Sequence, residues 1–281
     1  MTAQSQLDWE RVLDRLSAFY HAGDWRTPYL RDHAENPFQV LIGTILSQRT
    51  RDEATDGASA RLFARYPDAR SLARASPREI EPLIRGTGFY HTKARAIRAC
   101  AREILDRFSG TVPRSFEELV SLPSVGPKTA NCVLVFGYGI PAIPVDTHVH
   151  RIANRLGAVR TRSPEETEAR LREVLPRPFW IPLNPLLVQH GQNLCRPQRP
   201  RCPDCPISDL CATGRALSEG RDPPRPADRR PLAASAAGRR GRRASRPSLP
   251  PGTPRRPRTT GRRPPSRRGT IGAPRRSTGS S

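Results

Sequence analysis

Lysine is almost absent from this chain. Of 48 basic residues only Lys93 and Lys128 are lysines, and the other 46 are arginines. Acidic residues are also scarce, 26 in 281 positions, so the formal net charge is +22. Apolar residues make up 36% of the sequence, against about 45–50% in an ordinary globular chain. No run of 18 or more apolar residues occurs, so no membrane span is predicted. The opening residues, Met1 to Glu10, show no charged segment followed by an apolar one, so no signal peptide is predicted. The expected setting is a reducing cytoplasm, where cysteines bind metal or stay free rather than pair. Alternation of apolar and polar residues between hairpin turns is lacking as well, which argues against strands.

The shortage of apolar residues is local. From Arg215 to Ser281 there are 19 Arg, 12 Pro, three acids and no aromatic residue. That segment carries +16, and residues 1–214 carry the remaining +6 with every Trp, Tyr, Phe and Cys. A segment without apolar surface cannot offset its ordering entropy, so a disordered basic tail is predicted over 214–281. A basic balance suits nucleic acid, although charge alone is weak evidence.

The rest of the chain reads as all-α, roughly ten short helices. Trp9, Val12, Leu13, Leu16, Phe19 and Tyr20 share one helical face. Phe38, Leu41, Ile42, Ile45 and Leu46 form a buried run, and Ile97, Ala101, Ile104, Leu105 and Phe108 mark another helix. Ser76-Pro77-Arg78-Glu79 and Ser163-Pro164-Glu165-Glu166 are helix starts, with Ser as cap, Pro first and Glu third; Ser115 with Glu118 is a further box.

Four cysteines cluster as C-x6-C-x2-C-x5-C at Cys195, Cys202, Cys205 and Cys211. Four thiolates so close can surround a tetrahedral zinc or a cubane [4Fe-4S] cluster. Only one C-x2-C knuckle is present and the first gap is wide, which favours iron–sulfur over zinc. Cys100 and Cys132 lie apart on apolar helix faces and read as buried small hydrophobes. Between the first two ligands, Arg196, Arg199 and Arg201 make a preordered phosphate-binding surface.

Leu122-Pro123-Ser124-Val125-Gly126-Pro127-Lys128-Thr129-Ala130 is a turn between two helices. Free backbone N–H groups at the start of the second helix form an anion site for a DNA phosphate. Lys128 sits in the first turn of that helix, where the dipole is expected to lower its pKa. A neutral amine is what a Schiff-base nucleophile needs, and arginine cannot supply one. Lys93 reads as a possible phosphate contact. Eighteen positions beyond Lys128, Asp146 precedes Val149, Ile152, Ala153 and Leu156 at helical spacing. It therefore reads as the helix cap, either a plain capping Asp or a carboxylate held ionised by N–H donors and facing Lys128 across a cleft. His148 and His150 point to different helix faces and are rejected as a metal pair.

Together these residues resemble the endonuclease III family of DNA glycosylases. The resemblance covers about residues 7–212 and rests on the hairpin 122–130, on Val145-Asp146-Thr147-His148, and on the four cysteines. Gly88-Phe89-Tyr90-His91-Thr92-Lys93-Ala94 looks like the family's loop whose tip, here Phe89, intrudes into the DNA stack. Two positions depart. Ser124 stands where the hairpin has its first glycine, a strained choice if φ is positive there. Leu46-Ser47-Gln48-Arg49 puts Arg49 rather than Gln48 where the family's gap-filling Gln aligns.

The resemblance implies an all-α helix-hairpin-helix DNA glycosylase fold: a six-helix domain over 33–142, with the hairpin at about 115–138, and an iron–sulfur cluster domain from 1–32 and 143–213 with its Cys loop at 195–211. It implies a monomer acting near the nucleoid of a prokaryotic cell, with no membrane partner, on double-stranded DNA holding damaged bases or abasic sites. Lys128 and Asp146 are its catalytic residues, and a [4Fe-4S] cluster is its cofactor on Cys195, Cys202, Cys205 and Cys211. Val125, Gly126, Lys128, Arg49, Phe89, Arg196, Arg199 and Arg201 are its DNA contacts. The expected activity is a bifunctional glycosylase/AP lyase removing oxidised pyrimidines. The alternatives are a monofunctional mismatch or adenine glycosylase of the same superfamily, or a non-catalytic DNA-binding module.

Overall fold

The computed structural model describes residues 7–22 and 36–223. The basic tail beyond Pro223, read above as disordered, lies outside the described residues. Within them the chain is helical, without a named strand. None of these helices is long and apolar enough to cross a membrane.

The helices run α1 (Trp9–His21), α2 (Pro37–Ser47), α3 (Asp52–Arg65), α4 (Ala69–Arg74), α5 (Pro77–Ile80), α6 (Tyr90–Phe108) and α7 (Phe116–Val120). After the hairpin come α8 (Pro127–Cys132), α9 (Thr147–Leu156), α10 (Pro164–Val174), α11 (Trp180–Asn193) and α12 (Ala212–Ser218). The expected helix starts are observed. Ser76 Oγ accepts from Glu79 N–H while the Glu79 carboxylate accepts from Ser76 N–H. Ser115 and Ser163 cap α7 and α10 by accepting from the third residue of each helix. α8 does not continue as a regular helix. It widens into a π-helical turn at Val133–Gly137, whose apolar side chains pack on α2.

Two separate cores result. One is built by α2–α8 around Leu41, Ile42, Ile45, Leu62, Leu72, Ile97 and Ile104. The other joins α1 to the later helices through Val12, Leu16, Val149, Ile152, Leu171, Leu183 and Leu187. Early and late helices of the described chain therefore meet in the second core, with α1 packed on α11. The segment linking the cores is held by two buried amides: Asn131 Nδ2 donates to Ile143 O at 3.3 Å and Asn184 Nδ2 to Pro144 O at 2.8 Å.

The ordered chain runs past residue 214, where the sequence alone placed the start of the tail. Thr213, Gly214 and Ala216 of α12 are buried, and a Cβ at position 214 would lie 2.4 Å from Ser208 O. Small residues there let α12 close against the loop of the cysteines, a fit that charge counting does not register.

Leu16 is fully buried and apolar contacts surround it in the second core. Leu16→Ala is expected to lower unfolding free energy by roughly 2–5 kcal/mol in urea titration.

Candidate active site at the junction of the two cores

The hairpin turn is tight. Ser124 has φ +65°, so the residue replacing the expected glycine does sit in the left-handed region, at a cost of roughly 1–2 kcal/mol. Val125 is buried, and its N–H donates to Leu122 O at 3.2 Å. That corrects its expected role: the Val125 amide closes the turn and is not left for a ligand. The N–H groups of Gly126 and Lys128 have no hydrogen-bond acceptor among the described residues. They stand at the start of α8 with the helix dipole behind them.

Lys128 is half-buried. Burial pulls its ammonium down, but Cys132, one turn on, and Asp146 and Asp52 outweigh burial and hold it above the ordinary lysine value. The dipole argument therefore fails here. Three groups on α8, α9 and α3 set the charge of this lysine, and the helix dipole does not decide it. Cys132 is buried as expected, but it is no bystander, since it lies close enough to Lys128 for each to act on the other's charge. The i,i+4 spacing of 128 and 132 was the available signal for that contact.

Asp146 caps α9. Its Oδ1 accepts from His148 N–H at 2.9 Å and Val149 N–H at 2.8 Å. Two donors on one oxygen fix the carboxylate and leave Oδ2 for the site. His148 and His150 do diverge: His150 Nδ1 meets Thr167 Oγ1 at 2.6 Å, whereas His148 Nδ1 faces Arg151 Nη2 at 3.2 Å. Burial and Arg151 push His148 below the usual histidine value, against the opposing pull of Asp146 and Asp52. Gln192 of α11 donates to Asp52 Oδ2 at 2.8 Å, tying α3 of the first core to the second. None of Asp52, Gln192 or Arg151 stands in a motif, and sequence reasoning missed all three.

The four cysteines line one pocket, walled by Ile152, Leu156, Leu194 and Ile207. Among the described residues no group of three or more His, Cys, Asp or Glu is placed as round a single metal ion. Arg155 of α9 donates to Cys195 Sγ at 3.3 Å, to Arg196 O at 2.7 Å and to Pro197 O at 2.8 Å. Arg151 Nη2 donates to Cys195 O at 2.8 Å. The 196–201 loop is thus held by the Arg155 guanidinium, with Arg151 fixing Cys195 just before it. On its outer side Arg196 and Arg199 are exposed, while Arg201 pairs with Asp204 at 2.8 Å. So the three loop arginines are not equivalent, and Arg201 is the committed one.

Beside the hairpin lie two more loops. Gln48 Nε2 donates to Ser124 O at 3.4 Å. Arg49 turns outward, its guanidinium carbon 6.0 Å from the centre of the Phe89 ring, a weak cation–π pairing. Phe89 is 65% exposed. Lys93 is not a phosphate contact as the sequence suggested. It is buried, with Nζ donating to Leu46 O and Thr50 Oγ1, each at 2.6 Å, and burial pushes it down to about 8.

A helical hairpin with open amides, a lysine and a capping aspartate at the seam of two helical cores define the class of helix-hairpin-helix base excision enzymes. The sequence pattern of the HhH-GPD superfamily of base excision DNA repair proteins matches residues 42–177. Endonuclease III of Thermotoga maritima is 48% identical over 191 residues, covering 68% of this chain and 90% of that protein. Endonuclease III-like protein 1 of Bos taurus is 39% identical over 222 residues, covering 75% of this chain and 73% of that protein. Among solved structures, a trapped endonuclease III–DNA covalent intermediate matches with TM-score 0.66 at 34% identity, covering 74% of this chain and 96% of that one. The chain belongs to the endonuclease III family, DNA glycosylases of base excision repair.

Gly191 has no room for a side chain. A Cβ there would lie 2.3 Å from His148 Nδ1 and 2.8 Å from Arg151 Nη2. Gly191→Ala should displace both side chains and cost roughly 1–3 kcal/mol, read as a lowered melting temperature.

Proposed function

We propose that this protein is a bifunctional DNA glycosylase/AP lyase that removes oxidised pyrimidines from duplex DNA and cuts 3′ to the resulting abasic site. The carrying observation is Lys128: a lysine, in a chain that otherwise uses arginine, set where Asp146 and Asp52 act on its charge.

The substrate strand runs over the hairpin, where the N–H groups of Gly126 and Lys128 take a phosphate oxygen. The damaged nucleotide is extruded at a cost of a few kcal/mol, lowest for a poorly stacked lesion. Phe89 and Arg49 occupy the gap it leaves. Arg196 and Arg199 bind backbone phosphates through their guanidinium N–H groups, and the charge pairing makes affinity salt-dependent. The basic tail adds to that non-specific affinity.

At rest Lys128 is an ammonium and not yet a nucleophile. Its proton passes toward Asp146, whose Oδ2 is free of the cap. The neutral amine attacks C1′, the N-glycosidic bond breaks, and the base departs with its electron pair and takes up the proton from Asp146, which becomes a carboxylate again. Asp146 stabilises the positive charge that develops on the sugar. Loss of a proton opens the ring to a Schiff base between Nζ and C1′. Removal of a C2′ proton then expels the 3′ phosphate by β-elimination, and water releases the enzyme.

The four thiols suit a [4Fe-4S] cluster. They line a common apolar-walled pocket, and the Arg155 guanidinium stands against Cys195 Sγ where a thiolate would need it. Cys195, Cys202, Cys205 and Cys211 would be its ligands. Bound there, the cluster would cross-link the 195–211 loop that bears the phosphate-binding arginines. The purified protein should be brown with absorption near ~400 nm, as thiolate-held iron–sulfur centres are; a colourless, zinc-loaded protein overturns this assignment.

Borohydride trapping on a thymine-glycol duplex tests the chemistry. Wild type should give a covalent adduct and Lys128→Gln none; no adduct from wild type overturns the lyase reading. Asp146 raises Lys128, so Asp146→Asn should release the proton more easily. The rise of trapping with pH should then shift to lower pH even as the rate falls at every pH.

A further inference from the structure

Two loops at the rim of the site hold unfavourable backbone conformations. Arg49 has φ +53° and Phe89 has φ +60°. A non-glycine residue in that region persists only where its surroundings over-determine it. Packing does not do so at Phe89, whose side chain is 65% exposed.

The determinant lies underneath, at Lys93. Its ammonium fills one of the open carbonyls at the end of α2, Leu46 O, at 2.6 Å, where a cation is favoured. It also donates to Thr50 Oγ1 at 2.6 Å. The same hydroxyl accepts from Gly88 N–H at 3.2 Å and lies 3.3 Å from Gln48 O. One buried charge thereby fastens residues 46–50 to residues 88–89. A guanidinium is planar and larger, and a compact ammonium fits two acceptors in so small a space. That explains why the second of only two lysines stands here.

We propose that Lys93 is a positioning residue that locks the Gln48–Thr50 and Gly88–Phe89 loops into one rigid wedge, so that Arg49 and Phe89 enter a base stack as a unit. The proposal rests on the reading of the site as a glycosylase that extrudes a nucleotide. Folding alone gains nothing from an exposed Phe in a strained backbone beside an Arg. A wedge gains from both, because its shape is set before DNA arrives and less ordering is left for binding.

The experiment uses the full-length protein and two substrates. Single-turnover excision from a thymine-glycol duplex requires the wedge. Borohydride trapping on a single-stranded abasic oligonucleotide reads Lys128 without any stack to open. Lys93→Met and Thr50→Val should each lower the duplex-to-single-strand ratio of rates tenfold or more. The double variant should be no worse than Lys93→Met, since both changes cut the same node. Where Lys93→Met lowers the melting temperature too far for assay, Thr50→Val carries the comparison. Unchanged ratios in the folded variants overturn the wedge, as do effects that multiply in the double variant. Failure of wild type to trap on the abasic strand overturns the lyase reading instead.

Discussion

Lys128 rests as an ammonium at a seam between two hydrophobic cores. Burial works against it, and Cys132, Asp146 and Asp52 work for it. These three groups come from α8, α9 and α3, so the electrostatic balance holds only while the two cores keep their relation. Much of the rest serves that relation. Asn131 and Asn184 grip the linking segment at successive carbonyls, and Gln192 reaches from the second core to Asp52 of the first. Gly191 makes room where His148 and Arg151 crowd the same seam.

Arginine and lysine have separate tasks. Arg151 and Arg155 act as forked clamps: Arg151 binds the carbonyls of Gly191 in α11 and Cys195, and Arg155 those of Arg196 and Pro197. That is work for a planar group with several fixed donors. The two lysines stand where such a fork is useless. In the proposed chemistry one loses its proton, and the other fits a compact charge between two acceptors. A composition that looks like bias is, at these two positions, a division of labour.

Features that act along the chain were readable in sequence. Asp146 as the α9 cap follows from the helical spacing after it, and the structure shows its two amide donors. The serine caps and the divergence of His148 from His150 were legible for the same reason. What depended on separate elements was not. Lys128 was expected to be lowered because only its own helix was visible, and the charges that raise it come partly from elsewhere in the chain. Lys93 read as a phosphate contact because nothing near it in sequence announces Leu46 and Thr50. Val125 was expected to offer an amide that a turn hydrogen bond had already taken. α12 continued past the expected boundary because small residues, invisible to charge counting, close it against Ser208.

Arg155 draws together three points of the cysteine segment through its guanidinium, and its own carbonyl accepts from Cys211 Sγ at 3.1 Å. The first and last cysteines are therefore hung on one residue of a helix that belongs to the second core. A cage assembled this way owes its outline to the polypeptide. A shift of α9 at this residue would therefore move both ends of the cysteine segment together.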